Sequence, residues 1–366
     1  MAQSKVRYAV VGLGHIAQAA VLPAFAHAKR NSSLHALVSG SVEKLNTLGD
    51  RYRVPVRASY DNYERCLKEV DAVYICTPNS EHADFAVRAA KAGVHVLCEK
   101  PLAVTAAECS RMIEAAAAAD VRLMTAYRLH FEPLFLEIVE MVRSGKIGEP
   151  RFFNSSFSMH VKPGGIRTRR ELGGGTLFDL GVYCINAARL LFRAEPTEVF
   201  AYSVDGARVD MPEIDEMTSG VMRFDGDRLA TFTTSFAANG VSDLRIVGTE
   251  GSIHAEPAFQ HAEALGYTLT VGEDVTKKKG RRRDQFAAEL VYFSDCVLNG
   301  KNPEPSAEEG AWDVRVVDAL YESARVGKPV TLPPFGPERL PNLDQAEDLP
   351  PVVNEPVLVA VEKPHD

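Results

Sequence analysis

The strongest constraint on this chain lies in its first third, where short apolar runs alternate with helix-like segments. The runs at 6–12 (VRYAVVG), 34–40 (LHALVSG), 72–78 (AVYICTP), 95–101 (HVLCEKP) and 121–127 (VRLMTAY) have almost no polar interruption. A strand that is apolar on both sides needs cover on both faces, and strands joined through helices run parallel. Two intervening segments, SEHADFAVRAAKAG and TAAECSRMIEAAAAA, open on Ser80 and Thr105 as N-caps, and Gly93 marks the stop of the first. Residues 1–128 therefore read as an α/β domain built on a doubly wound parallel sheet.

After about residue 149 the pattern changes. DEMTSGVMRFDGDRLATFTTSFAA (215–238) reads as two alternating strands around an Asp225–Gly226 turn, with further β-like runs at 243–256 and 267–272. Helical patterns at 174–193, 284–298 and 306–326 bracket them, so 129–331 is expected to be an α+β domain with a mostly antiparallel sheet. Residues 332–366 are rich in proline and acid and read as an extended arm or disordered tail. Its VLVAV run at 357–361 would be an aggregation hazard if exposed, so the tail is expected to cross onto the body or a partner subunit.

With 366 residues the chain has material for two real cores, and 46% apolar with 25% charged residues is ordinary for a globular protein. A formal charge of −8 argues against nucleic acid or an anionic membrane as partner. The basic KKKGRRR cluster at 277–283 reads as a solvated loop and helix start, or as an anion or partner contact. Six scattered cysteines without metal-type spacing fit a reduced chain with no bound metal. No apolar run approaches the ~18 residues of a membrane span, and no leader precedes the first strand, so a cytoplasmic protein is expected.

VVGLGHIAQAA joins the first strand to a helix with Gly12, Gly14 and Ala17 in a G-x-G-x-x-A pattern, His15 and Ile16 lying inside it. Gly12 permits the tight turn, Gly14 lets backbone approach a pyrophosphate, and Ala17 packs helix on strand. The helix N-terminus then offers amides and its positive dipole end to the phosphates of a dinucleotide. The second strand closes on Ser39, Gly40 and Ser41 where an NAD site would carry an acid, and Lys44 follows one turn later. Hydroxyls and an ammonium suit a 2′-phosphate, so NADP is favoured, while Glu43 keeps NAD open.

Three further stretches bear polar residues in chemically suggestive places. TPNSEH puts Thr77, Pro78, Asn79 and His82 at a strand end that faces the ligand crevice of such sheets, although Ser80 alone would explain it as a helix cap. CEKP ends the next strand with Glu99 and Lys100, charges too expensive to bury unmatched, which either face the crevice or lie exposed on a loop. On the helix at 174–193, Asp179, Tyr183 and Asn186 fall at i, i+4 and i+7 on one face, with Leu177, Leu180, Cys184, Ala188 and Leu191 opposite. The trio is a ligand-facing set or a solvent-facing stripe, and Gly173, Gly174 and Gly175 before it allow close approach of another segment or a ligand.

Together the glycine loop, TPN..H, EKP and GGG...D.G.Y resemble the glucose–fructose oxidoreductase / inositol dehydrogenase (Gfo/Idh/MocA) family over roughly residues 5–330. ALVSGSVEK, CEKPLAV, AYRLHFEP and RTRRELGGGTLFDLGVY look most like its glucose–fructose and aldose–aldose oxidoreductase branch. The resemblance implies a Rossmann domain, then an α/β domain whose open sheet faces a partner subunit, hence a dimer or tetramer. It implies NADP held through Ser39, Ser41 and Lys44, with Lys100 beside the nicotinamide and Asp179 and Tyr183 across from it. The implied reaction is oxidation of a cyclic aldose at C1 to the lactone, with hydride returned to a second sugar. Tyr183 would be the acid/base, its phenol (reference value ~10) assisted by the Lys100 ammonium. Asp179, Arg128 and Asn186 would bind sugar hydroxyls. A one-way dehydrogenase or reductase of another polyol or carbonyl sugar, and a non-catalytic nucleotide or sugar sensor, are the alternatives.

Overall fold

In the computed structural model the described residues are 5–334, 341–353 and 356–361. The first of two units takes residues up to 128 together with 283–311 and the described residues of 347–361. Its sheet holds β1 (Val6–Val11), β2 (Ser32–Val38), β3 (Val56–Ala58), β4 (Ala72–Ile75), β5 (His95–Glu99) and β6 (Leu123–Ala126), in the order β3-β2-β1-β4-β5-β6. Every pairing is parallel, and the order reverses between β1 and β4, where doubly wound folds bind their ligands. Tyr8, Ala9, Val10, Val11 and Ala72–Ile75 are all buried, as strands covered on both faces must be.

Side-chain caps set several of the helix starts. Thr105 accepts from the Glu108 amide, and Ser41 accepts from the Lys44 amide. Ser80 does not cap: a 3₁₀ turn, Asn79–Glu81, leads into the helix His82–Lys91 instead. The helix Gln285–Leu298, expected in the second domain, belongs to the first unit and carries ten buried residues. Its partners explain the move, since Ser294 bonds Tyr8 and Ser32, and Asn31 donates to the Val291 carbonyl.

The second unit, 129–282 with 312–346, is built on a nine-stranded sheet. Its strands are β7 (Pro150–Ser158), β8 (Pro196–Gly206), β9 (Met211–Phe224), β10 (Arg228–Ser235), β11 (Val241–Gly248), β12 (Gly251–Ala255), β13 (Gly266–Val271), β14 (Asp274–Lys279) and β15 (Val330–Thr331). Among the described residues all pairs in this sheet are antiparallel except β7 with β10. The expected hairpin forms, with Gly226 and Asp227 taking positive φ at its turn. Phe153, Phe157, Ala230, Phe232, Leu244 and Ile246 point to the core, whereas Phe152, Tyr202, Val204, Val221 and Leu229 stand exposed. The lysines at 277–279 form an exposed edge strand rather than a loop and helix start, and edge lysines discourage pairing with another chain.

The tail returns to the first unit. Gln18, buried in the turn after the glycine loop, donates to the Val359 carbonyl at 3.0 Å and accepts from the Val359 amide at 2.7 Å. Arg51 donates to the Val357 carbonyl, and Arg30 and Arg283 pair with Glu347 and Asp348. Val359 is buried while Val357 is exposed, so the apolar run of the tail is covered in part. Gln18→Ala strands three buried backbone groups, the Leu13 and Val359 carbonyls and the Val359 amide, each costing about 1–3 kcal/mol. Urea unfolding of that variant, and of a chain truncated after Pro334, is expected to show lowered midpoints; unchanged midpoints would mean that the tail adds no stability.

Candidate active site

At the end of β1 the chain turns through Gly12 at φ +88°. A β-carbon there would lie 2.8 Å from the Cys76 carbonyl and the Thr77 amide, so only glycine fits beside the end of β4. Around Gly14 the corresponding position is empty to 4 Å, leaving the backbone approachable. Ala17 is buried, and residues Ala17–Val21 form a π-turn where a regular helix was expected. His15 and Ile16 are half-buried on the same loop.

Ser39 Oγ accepts from the Ser41 amide at 3.2 Å, and Ser41 Oγ from the Lys44 amide at 3.3 Å. Both hydroxyls spend an acceptor position, so their protons stay available to an anion. Gly40 lies against the Tyr60 ring, Lys44 is half-buried, and Glu43 is exposed on the first turn of the helix. Beside Gly12, Thr77 carries a buried hydroxyl with no protein partner. Pro78 and Asn79 are half-buried. An empty backbone cradle, two proton-bearing hydroxyls near an ammonium and an orphaned hydroxyl suit a phosphorylated dinucleotide.

His82 is placed differently. It is fully buried, with Nδ1 2.9 Å from the Pro101 carbonyl and Nε2 3.1 Å from the Thr77 carbonyl. Burial pushes its pKa below the usual 6.5, opposed by these carbonyls. It clamps the ends of the two strands that carry Thr77 and Lys100, and it presents no ring atom to a ligand. The Lys100–Pro101 bond is cis. Glu99 is buried, accepts from Tyr74 at 3.0 Å and from the Lys100 amide at 3.3 Å, and burial raises its pKa against the pull of Lys100. Arg128, also buried, donates to Gln285.

In the second unit Asp179 lies in a π-turn, Leu177–Gly181, that feeds the helix Val182–Phe192. Its Oδ2 accepts from Arg167 Nε at 2.5 Å. Arg167 stands in the quoted RTRRELGGG stretch and received no role from the sequence. The glycines explain how it is held: Gly175 donates to the Arg167 carbonyl at 3.0 Å, and a β-carbon at Gly174 would lie 2.4 Å from that oxygen. The glycines thus serve the approach of this loop. Tyr183 is half-buried, edge-on to Phe157 with ring centres 5.7 Å apart and 5.9 Å from Phe259. Such walls fix the ring while leaving Oη to be directed by its position.

Asn186 does not share this environment. It is buried, bonded to His130 Nε2 at 2.9 Å and donating to Asp313 at 3.0 Å, next to the buried Arg189–Asp313 and Arg189–Glu195 ion pairs. Every residue of the helix except Tyr183 is buried, so the expected division into polar and packing faces fails there. A helix enclosed all round must match its polar groups internally.

These features define an oxidoreductase of the kind that joins a Rossmann nucleotide unit to a large open-sheet unit. The model of the oxidoreductase family with an NAD-binding Rossmann fold matches residues 6–127, and that of the GFO/IDH/MocA C-terminal domain matches 135–254. The chain belongs to the Gfo/Idh/MocA family. It is 32% identical over 331 residues to D-xylose 1-dehydrogenase (NADP(+)) 2 of Haloferax volcanii, covering 89% of this chain and 99% of that protein. The crystal structure of aldose-aldose oxidoreductase from Caulobacter crescentus, complexed with glycerol, matches with a TM-score of 0.85 and 35% identity over 90% of this chain and all of that one. A 3-ketoreductase from Actinomadura kijaniata, solved with NADP and TDP-benzene, matches with a TM-score of 0.79 and 26% identity over 87% of this chain and 98% of that one.

The His82 clamp carries a stability forecast. A neutral imidazole has one N–H, so His82→Ala leaves one of these two buried carbonyls without its donor and should cost about 1–3 kcal/mol at pH 8. Because the folded pKa is depressed from 6.5, the wild type is fully stable above that value and loses stability as pH falls toward the depressed one. The gap between wild type and variant in urea is therefore expected to narrow from pH 8 to pH 5.5. A gap that widens would contradict a neutral clamp.

Proposed function

We propose that this chain is an NADP-dependent sugar oxidoreductase that oxidises a cyclic aldose at C1 to the aldonolactone and returns the hydride to a second sugar. The observation that carries this reading is the π-turn that presents Asp179, held by Arg167, one turn before Tyr183 between two aromatic walls. NADP, when bound, supplies the hydride acceptor. Ser39, Ser41 and Lys44 would bind its 2′-phosphate, Gly12, Gly14 and the first helix its diphosphate, and Thr77 and Asn79 its remaining polar groups. Lys100 would face the nicotinamide.

Oxidising a carbinol removes a hydride from carbon and a proton from oxygen. Tyr183 Oη takes that proton as the phenolate and, as the phenol, returns it in the reverse direction, while Asp179 and Arg167 hold neighbouring hydroxyls by charge-assisted hydrogen bonds. Arg128 and Asn186 keep the segments that carry Lys100 and Tyr183 in place, through Gln285 and through His130 with Asp313. The names of the relatives, two of them NADP-linked xylose dehydrogenases and one an aldose–aldose oxidoreductase, support a sugar alcohol carbon as the reacting centre.

The exposed Phe152, Tyr202, Val204, Val221 and Leu229 on one sheet face support a homo-oligomer, and the six free, buried cysteines support a reducing, cytoplasmic setting. No helix among the described residues is long and apolar enough to cross a membrane.

Mass spectrometry of nucleotide released by denaturing the purified protein is expected to show NADP(H); NAD as the dominant species would overturn the cofactor assignment. Tyr183→Phe should fold, bind NADP and lose about 100- to 10,000-fold in turnover of the best aldose. Lys100→Met and Arg167→Ala should also lower turnover, the latter with a raised KM. Wild-type turnover by Tyr183→Phe would remove it from the acid/base role. Release of free NADPH in stoichiometric amount with lactone, with no second sugar reduced, would favour a one-way dehydrogenase.

A further inference from the structure

Behind Lys100 lies a chain of three buried groups that the proposed chemistry does not use. Tyr74 Oη, on β4, lies 3.0 Å from Glu99 Oε1 on β5 and 3.0 Å from Glu289 Oε2 on the helix Gln285–Leu298. All three side chains are buried, and the other oxygen of Glu289, Oε1, has no hydrogen-bond partner. A phenol owns one proton, yet it lies within hydrogen-bond distance of two carboxyl groups. It can donate to only one, so the other contact is attractive only if that carboxyl is protonated and donates to the phenol oxygen.

The surroundings decide which acid keeps the proton. Glu99 also accepts from the Lys100 amide and feels the positive charges of Lys100 and Arg128. Glu289 has Glu99 and, at the N-cap of its own helix, Asp284 as negative neighbours, with Arg128 as a cationic influence. Asp284 is itself paired with His27, and the Cys76 thiol nearby is held neutral by burial. A carboxylate with one oxygen unmatched would be costly in this position, whereas a neutral acid leaves only a carbonyl unmatched.

We propose that Glu289 is a protonated, buried positioning residue: it donates to Tyr74, Tyr74 donates to Glu99, and Glu99 stays ionised beneath the Lys100 backbone. The bridge thus carries a single negative charge, on Glu99, which feels the positive charges of Lys100 and Arg128. Its bearing on turnover rests on the function proposed above; the proton itself does not.

The protonation state can be read directly. Infrared difference spectra of wild type minus Glu289→Gln at neutral pH are expected to show the carbonyl stretch of a protonated carboxylic acid. A carboxylate-only difference would overturn the proposal. The amide of Glu289→Gln can still donate to Tyr74, so this variant should keep both the turnover and the pH profile of kcat/KM. Tyr74→Phe removes the bridge, Glu99 then protonates more readily, and the acid limb of the profile should move to higher pH, with Glu289→Leu moving it in the same direction. If Glu289→Gln shifts the limb as far as Glu289→Leu, or if Tyr74→Phe leaves it in place, the chain does not position the site. Failure of wild type to oxidise any aldose would bring down the functional reading alone, because the infrared result stands without substrate.

Discussion

Residue 12 has no room for a side chain. Its positive φ and the 2.8 Å separation between a would-be β-carbon and the backbone at the end of β4 force the loop to cross directly over that strand. That close crossing brings Thr77 alongside the loop. It is possible only because β1 pairs with β2 on one side and β4 on the other, which is where the strand order reverses. The candidate cofactor site follows from this crossing, since the empty space around Gly14 and the orphaned Thr77 hydroxyl lie on the same sheet edge.

Two π-turns stand at the positions that matter to the proposed chemistry, one directly after the glycine loop and one carrying Asp179. A π-turn inserts an extra residue into a helical turn and frequently occurs where function outweighs regularity. In the second unit the cost is offset by a dense set of contacts: Asp215 accepts from Thr218 at 2.7 Å and from Tyr321 at 2.8 Å, and it also accepts from Thr176 just ahead of the turn. Gly175, at φ +124°, leaves room for Tyr321 and Asp215 to reach that point.

Buried charge in the second unit is handled by matching it. Arg189 is paired with Asp313 and Glu195 in the second unit, and Asn186 joins this set through Asp313. Removing one member of such a group leaves the others desolvated and unpaired, a far larger cost than the pair's own net contribution. Asn186 is therefore better understood as part of the scaffold under Tyr183 than as a group waiting for a sugar.

The sheet of the first unit and its glycine loop were legible in the sequence because each rests on local chemistry: apolar runs for doubly covered strands, a glycine where φ is positive, Ser41 and Thr105 as caps. The hairpin at Asp225–Gly226 and the three helices of the later chain were legible for the same reason. β3 is only three residues long and β7 interrupts its Phe residues with Asn and Ser, so neither gives a strong run. What the sequence could not convey is where distant segments meet. The helix Gln285–Leu298 joins the first unit, Arg167 reaches Asp179, His82 and Asn186 turn inward, and Val359 docks on Gln18. Each of these depends on pairing a polar group with a partner remote in the chain or across an irregular loop, and periodicity along one segment carries no information about such partners. Local propensity and pattern determined the elements and the glycine loop; only the tertiary structure decided which polar residues are spent holding the fold together.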